Sequence, residues 1–207
     1  TMSGRIGFQI ENALAAAAAG WGAGIPLDAM RTGLATFTSE PKRVPARFNV
    51  LAFAGATIIV DYAHNVDACR AIIDAVAALP HKRRSIVFSA AGDRRDIDIE
   101  RQAELLGDAF DSIVLYEDLC NRGRKDGECL AIMRRGVDKG SRVSLVRETR
   151  GELRAIELAL RALEPGDLVV VQADQIEVAL AFIERAIAEQ TPTASRKSVP
   201  PAVQDER

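Results

Sequence analysis

Short apolar runs rich in β-branched residues recur along this chain, each followed by a helical pattern, and that alternation restricts the fold more than any other feature. Thr57-Ile58-Ile59-Val60, Ser85 to Ser89, Ser112 to Tyr116, Val143 to Val146 and Leu168 to Val171 read as strands. Helical patterns cover Ala68 to Leu79, about Asp98 to Phe110, a stretch ending near Gly136, Arg150 to Leu163 and Glu177 to Ala188. Near-continuous apolar strands joined by helices predict an α/β fold: a mostly parallel sheet with helices on both faces. Phe48 to Phe53 and Ala56 to Asp61 flank Ala54-Gly55, which is a hairpin signal.

A short helical segment precedes this pattern. Asn12 to Trp21 is a strong helix former, Gly22 to Pro26 breaks it, and Pro26 to Phe37 restarts it. Pro26 suits a first turn and Asp28 the positive end of a helix. Two short helices bury little area alone, so residues 1–40 must lean on the rest of the chain or on a neighbour. Glu40 to Pro45 holds two prolines and reads as a linker. The division is then a helical segment over 1–40, an α/β domain over 41–190, and a polar, flexible tail over 191–207.

Charge and cysteine usage exclude some classes. The net charge of −2 gives no electrostatic case for nucleic acid or an anionic membrane, and the basic clusters are separated by acidic residues. Three widely spaced cysteines fit neither zinc nor a disulfide framework and point to a reducing cytoplasm. The apolar run Ala13 to Ala19 is too short for a membrane span and lacks the marks of a signal peptide.

Right-handed βαβ connections bring the carboxyl ends of parallel strands to one edge. Four loops should gather there: Asp61–Asp67, Ala90–Asp96, Glu117–Asp126 and Gln172–Gln175. They are also the loops richest in functional side chains, and helices start just after them, so free N–H groups would favour a phosphate. Asp and Asn there also suit plain helix capping, with Asp96 or Asp98 placed to cap one helix; as a set, the four loops point to a site. His64 is one of two histidines. Gly92 permits a close backbone approach, Arg94 and Arg95 suit phosphate or carboxylate, and Asp93 or Asp96 could orient them. Arg122 to Glu128 is a glycine-containing basic loop, which alone reads as solvated surface. The sequence has no Gly-Lys dipeptide and so no P-loop; Gly20-x-Gly22-x-Gly24 follows a helix; no nucleophile elbow or metal pattern occurs. If the chain handles ATP, it holds one wall of the site.

At these motifs the sequence resembles the Mur ligase superfamily, and within it the cyanophycin synthetase branch. Asp61-Tyr62-Ala63-His64-Asn65-Val66-Asp67-Ala68 is similar to the superfamily's Asp-Tyr-Ala-His-Asn-Pro-Asp-Ala signature, with Val66 in the proline position. Gly92-Asp93-Arg94-Arg95-Asp96 resembles the branch's Gly-Asp-Arg-Arg-Asp loop. Glu117-Asp118, Arg122-Gly123-Arg124 and Gly127-Glu128 resemble its Glu-Asp…Arg-Gly-Arg…Gly-Glu segment, with Cys120-Asn121 departing from it. Asn12 to Phe37 resembles the end of the Mur central domain.

The resemblance implies a Rossmann-like Mur C-terminal domain behind the last helices of the ATP-binding domain. It implies a ligase that activates a carboxylate with ATP as an acyl phosphate, which an amine then attacks to form an amide. In the cyanophycin branch, arginine joins the side-chain carboxylate of aspartate in a polyaspartate backbone. By resemblance, Asp61, His64 and Asn65 lie against the nucleotide, with His64 and Asp61 as the catalytic candidates. Asp93, Arg94, Arg95, Asp96, Glu117, Asp118, Arg122 and Arg124 are the substrate-binding candidates, the acidic ones for a guanidinium. ATP and magnesium belong to the full-length enzyme; none is expected to bind this chain tightly, and no metal ligands are expected in it. The implied partners are the N-terminal and central ligase domains, arginine and the polyaspartate (cyanophycin) polymer; a homo-oligomer is left open. Without a P-loop the chain is not expected to turn over alone. Other branches remain open: a peptidoglycan or folylpolyglutamate ligase, a dipeptide-joining cyanophycin synthetase, or a non-catalytic binding or assembly domain.

Overall fold

In four central strands, alternate side chains point to opposite faces, and this sorts the interior into two layers. The computed structural model describes residues 2–118 and 120–190. Six strands form one sheet in the order β1-β2-β6-β3-β4-β5: β1 (Asn49–Phe53), β2 (Ala56–Asp61), β3 (Arg84–Phe88), β4 (Ser112–Glu117), β5 (Leu145–Arg150) and β6 (Leu168–Gln172). Only β1 is antiparallel to its neighbour. Its hairpin turns through Ala54 and Gly55, at φ 49° and 79°. Positive φ at both positions is the two-residue turn whose twist matches the flanking strands.

One face carries Ile59, Ile86, Phe88, Ile113, Leu115 and Val170. Helices α3 (Val66–Ala77), α4 (Asp96–Ala109) and α5 (Glu128–Val137) cover it. The other face carries Ile58, Val60, Val87, Val114, Val169 and Val171, beneath α6 (Glu152–Arg161) and α7 (Ile176–Gln190). In α3 the buried residues are Cys69, Ile72, Ala75 and Val76, a three-and-four spacing that places one stripe on the sheet. The fold is thus the α/β sandwich the periodicity predicts.

Several boundaries move. α1 starts at Gly7, before the expected Asn12, and α3 at Val66 rather than Ala68. The largest correction is at β5, which continues through Arg150, the residue expected to open a helix; α6 starts at Glu152. β5 is an edge strand whose Arg147, Glu148 and Arg150 face solvent or its rim, so no apolar run signals it.

The leading helices, α1 (Gly7–Gly22) and α2 (Leu27–Thr36), differ from the rest: Gly20 is their only buried residue. Phe8 meets Phe48 edge-on at 5.4 Å and anchors α1 to the domain. Leu14 and Trp21 are 65% and 67% exposed. The tail expected over 191–207 lies outside the described residues. Among the described residues no helix is long and apolar enough to cross a membrane.

Candidate functional site

The chain runs β2, β3, β4, β5 outward and then returns to insert β6 between β2 and β3. α6 makes that return on the face opposite α3 to α5, so the strand order switches beside β6. Ligands of open α/β sheets sit at the carboxyl ends of the strands at such a point. There, all four loops expected from the sequence converge. They line one cavity of about 10 Å³, room for roughly a single water. His64, Gly92, Glu117, Asp118, Asn121, Arg122 and Asp174 all border it.

His64 follows directly from β2. Its Nδ1 donates to the Tyr62 carbonyl and its ring stacks on Tyr62 with centroids 4.2 Å apart. Nε2 lies 3.4 Å from the Asp174 carboxylate. The neighbours expected to act with it are turned toward the framework. Asp61 is 9% exposed and its carboxylate accepts the Phe48 N–H at 2.8 Å. Burial pushes the Asp61 carboxyl above the usual aspartate range, against the opposing pull of the Phe48 and Ala63 N–H groups. Asn65 caps α3 by accepting the Ala68 N–H at 2.8 Å.

The 90–96 loop is held from outside. A Cβ on Gly92 would sit 2.2 Å from the Asn121 carbonyl oxygen, so the two loops touch backbone to backbone. Arg124 clasps them: Nε donates to the Gly92 carbonyl at 2.7 Å, and Nη2 to the Arg94 carbonyl at 2.6 Å and to Asp96 at 2.8 Å. Its side chain is 14% exposed, and every face of its guanidinium is engaged. Arg95 turns to Asp98 at 2.7 Å, which corrects the capping expectation: neither Asp96 nor Asp98 caps α4, whose N-cap is Arg95 with no side-chain cap bond. Asp93 meets Arg122 at 3.4 Å, and Arg122 also reaches to 3.9 Å from Asp174. Arg94 is exposed.

Glu117 is 3% exposed. One carboxylate oxygen accepts the Gly127 N–H at 2.7 Å; the other has no hydrogen-bond partner among the described residues. Asn121 donates its amide to Asp126 at 2.7 Å, and its buried oxygen likewise has no partner among the described residues. Asp118 lies 3.5 Å from the Gln175 amide. Open acceptors on the floor and cations at the rim suit a ligand that brings N–H donors inward and negative charge outward. Among the described residues no three His, Cys, Asp or Glu side chains converge to hold a metal.

Four residues that sequence reasoning left unnamed shape this edge. Gln172, 3% exposed, donates to the Ala63 carbonyl and accepts the Ser89 N–H at 3.3 Å, tying the β2 and β3 loops across β6. Asp174 faces His64 and Arg122. Glu152 and Tyr116 lie beneath it. Asp174 was within reach, since it stands in a strand-to-helix turn like the other loops. Glu152 was not: it reads as an ordinary acid in a first helical turn.

Comparison with known proteins follows the same lines. The family model described as the Mur ligase glutamate ligase domain matches residues 46–174. A cyanophycin synthetase from Synechocystis is 33% identical over 184 residues, which cover 89% of this chain and 21% of that protein. The chain thus spans about a fifth of the length of the curated relatives it matches most strongly. A solved UDP-N-acetylmuramoyl-L-alanyl-D-glutamate–2,6-diaminopimelate ligase superimposes with a TM-score of 0.61 at 23% identity, over 89% of this chain and 39% of that one. FolC of E. coli, solved in complex with ADP, gives a TM-score of 0.58 at 18% identity, over 79% and 36%. These structural likenesses concern the fold.

Proposed function

This chain belongs to the Mur ligase family, as its glutamate ligase domain, and from that premise we propose that it closes over nucleotide and amino acid in an ATP-dependent carboxylate–amine ligase of the cyanophycin synthetase type. The single observation that carries the reading is the buried Glu117 oxygen, open at a cavity where all four carboxyl-edge loops meet. The reaction joins arginine to an aspartate side chain. ATP transfers its γ-phosphoryl group to the carboxylate and leaves as ADP; the arginine α-amine attacks the acyl carbon, a C–N bond forms, and inorganic phosphate leaves with the C–O bond's electron pair. The amine's proton passes to the departing phosphate or to water.

The chain's own residues fit one wall of that site. ATP would supply the phosphoryl group from the opposite wall, carried by regions its relatives have outside the matched segment. On this side His64 faces the nucleotide, and Arg94 and Arg122 meet phosphate or polymer carboxylate, because Arg95 and Arg124 are already engaged. Glu117, Asp118 and Asp93 are the acceptors for a guanidinium. The cavity opens to solvent on one side, and a guanidinium would rest at that mouth, within reach of Glu117 and Asp118. Closure then excludes water that would hydrolyse the acyl phosphate.

The test is arginine-dependent ATP turnover in this chain expressed together with the ligase regions of its relatives. Glu117→Gln should raise the arginine KM about tenfold or more while ATP KM holds. Turnover with diaminopimelate or glutamate in place of arginine moves the chain to another Mur branch; no turnover with any amino acid moves it to a non-catalytic binding or assembly role.

A further inference from the structure

We infer that Glu152 is a positioning residue of this site: it fixes the β6–α7 turn so that Asp174 meets His64 and Arg122. Glu152 opens α6, on the return crossing, and is 4% exposed. One carboxylate oxygen accepts the Asp174 N–H at 2.7 Å and the Tyr116 hydroxyl at 3.3 Å; the other accepts the Gln175 N–H at 3.1 Å. Those two amides stand just before α7, outside its own hydrogen-bond ladder. A carboxylate from a different helix therefore holds the turn that leads into α7, and the nearby helix dipole favours its charge. The single Tyr116 proton is shared with the Gln172 carbonyl at 3.4 Å, so the same hydroxyl lies between Glu152 and the strand that carries the turn. Burial pushes the Glu152 carboxyl upward. A buried acid is costly to keep charged, and three converging donors repay that cost only if the turn stays in place. The Asp174 side chain then projects to 3.4 Å from His64 Nε2 and 3.9 Å from Arg122.

The placement itself is independent of the ligase reading; only its consequence for turnover rests on it. The experiment observes ring-nitrogen NMR signals of His64 in the 207-residue chain. Glu152→Gln, which puts an amide against two N–H donors, should move the His64 signals in the direction that Asp174→Asn moves them. His81, whose Nδ1 faces the Leu79 carbonyl at 2.8 Å, is the internal control and should not respond. Glu152→Asp keeps the charge but shortens the reach; it should give a smaller shift of the same sign, and serves if Glu152→Gln fails to fold. His64 signals that stay at parent values in either folded Glu152 variant, or that ignore Asp174→Asn, overturn the inference. In the complete ligase Glu152→Gln should lower kcat on the order of tenfold to a hundredfold with ATP KM unchanged, since small misplacements at a reacting centre have effects of that size. Shifted His64 signals with unchanged kcat would leave the positioning intact and remove His64 from the ligase reaction.

Discussion

The two ends of the parallel strands carry similar charged residues to opposite effect. At the amino end the carboxylates close on local partners. Asp167 accepts from Arg83 at 2.7 Å and from the Glu164 N–H at 3.1 Å. Asp111 accepts the Arg84 N–H and the Arg142 guanidinium, each at 2.8 Å. Among the described residues Arg84 Nε is the one buried polar side-chain atom there without a partner. At the carboxyl end two buried acceptors, on Glu117 and Asn121, stay open beside a cavity, and Arg122 makes only long contacts. A charged cluster that satisfies itself is a clamp. One that leaves buried acceptors open is, under the proposed function, a receptor for a ligand's donors. The same residue types thus read as stability at one edge and as recognition at the other.

That contrast breaks most visibly at His64. In the complete ligase His64→Ala should cut turnover on the order of a hundredfold, the loss of a transition-state contact of roughly 2–4 kcal/mol. Asp167→Ala should leave turnover within a few-fold of the parent. Steady-state rates of the two variants, measured side by side, test the assignment; equal losses would erase the distinction between the edges.

Gly92→Ala sharpens it from the structural side. The new methyl would press on the Asn121 carbonyl oxygen at 2.2 Å and force apart two loops of the site. Destabilisation of about 1–3 kcal/mol in urea unfolding is expected, as for other overpacked positions, together with lost turnover. A neutral Gly92→Ala would mean that the loops do not touch. Asp167→Ala should cost about 1–2 kcal/mol by the same measurement, since the Glu164 N–H loses its acceptor while the half-exposed Arg83 side chain turns to water.

The smallest effect is a pair of opposite slopes with pH. Burial alone would raise the Asp167 carboxyl, but the Arg83 hydrogen bond, the Glu164 N–H and nearby positive charge hold it below its ordinary value. Its contribution to stability is present above the unfolded value near 3.9 and is lost as pH falls through the depressed folded value. Burial raises Glu152, so the native state holds its proton longer than the unfolded chain. Stability there falls as pH rises from about 4.3 through the raised folded value, then levels. In unfolding free energies measured against pH, Asp167→Asn should flatten the acid limb, and Glu152→Gln should remove the decline above it. Slopes of the same sign for both would contradict the assignment of one as clamp and the other as buried anchor of a turn.

The sheet was legible because β2, β3, β4 and β6 are buried on both faces and so spell continuous apolar runs. β5 was misread at its end because an edge strand needs no such run, and Arg147-Glu148-Thr149-Arg150 resembles a helix start. The site's location followed from topology, since carboxyl-edge loops must meet in a right-handed parallel sheet. Side-chain duties did not follow. Arg94, Arg95, Arg122 and Arg124 look alike in sequence, yet Arg124 clasps carbonyls and Arg95 holds Asp98. Arg124 is spent on backbone carbonyls 30 or more residues away, which no local pattern announces. Glu152 stayed hidden for the same reason, because its partners are the Asp174 and Gln175 amides of the β6–α7 turn and Tyr116 on β4, all distant in sequence.

The central claim is that substrate engages the carboxyl edge of this domain and leaves the amino edge alone. Amide hydrogen exchange of the complete ligase, with and without ATP and arginine, tests it most directly. Protection should rise in 61–67, 90–96, 117–127 and 172–175, while 82–85, 111–113, 143–146 and 164–168 stay unchanged. Protection confined to the amino-edge segments, or none at the four carboxyl-edge loops under turnover conditions, would contradict the account.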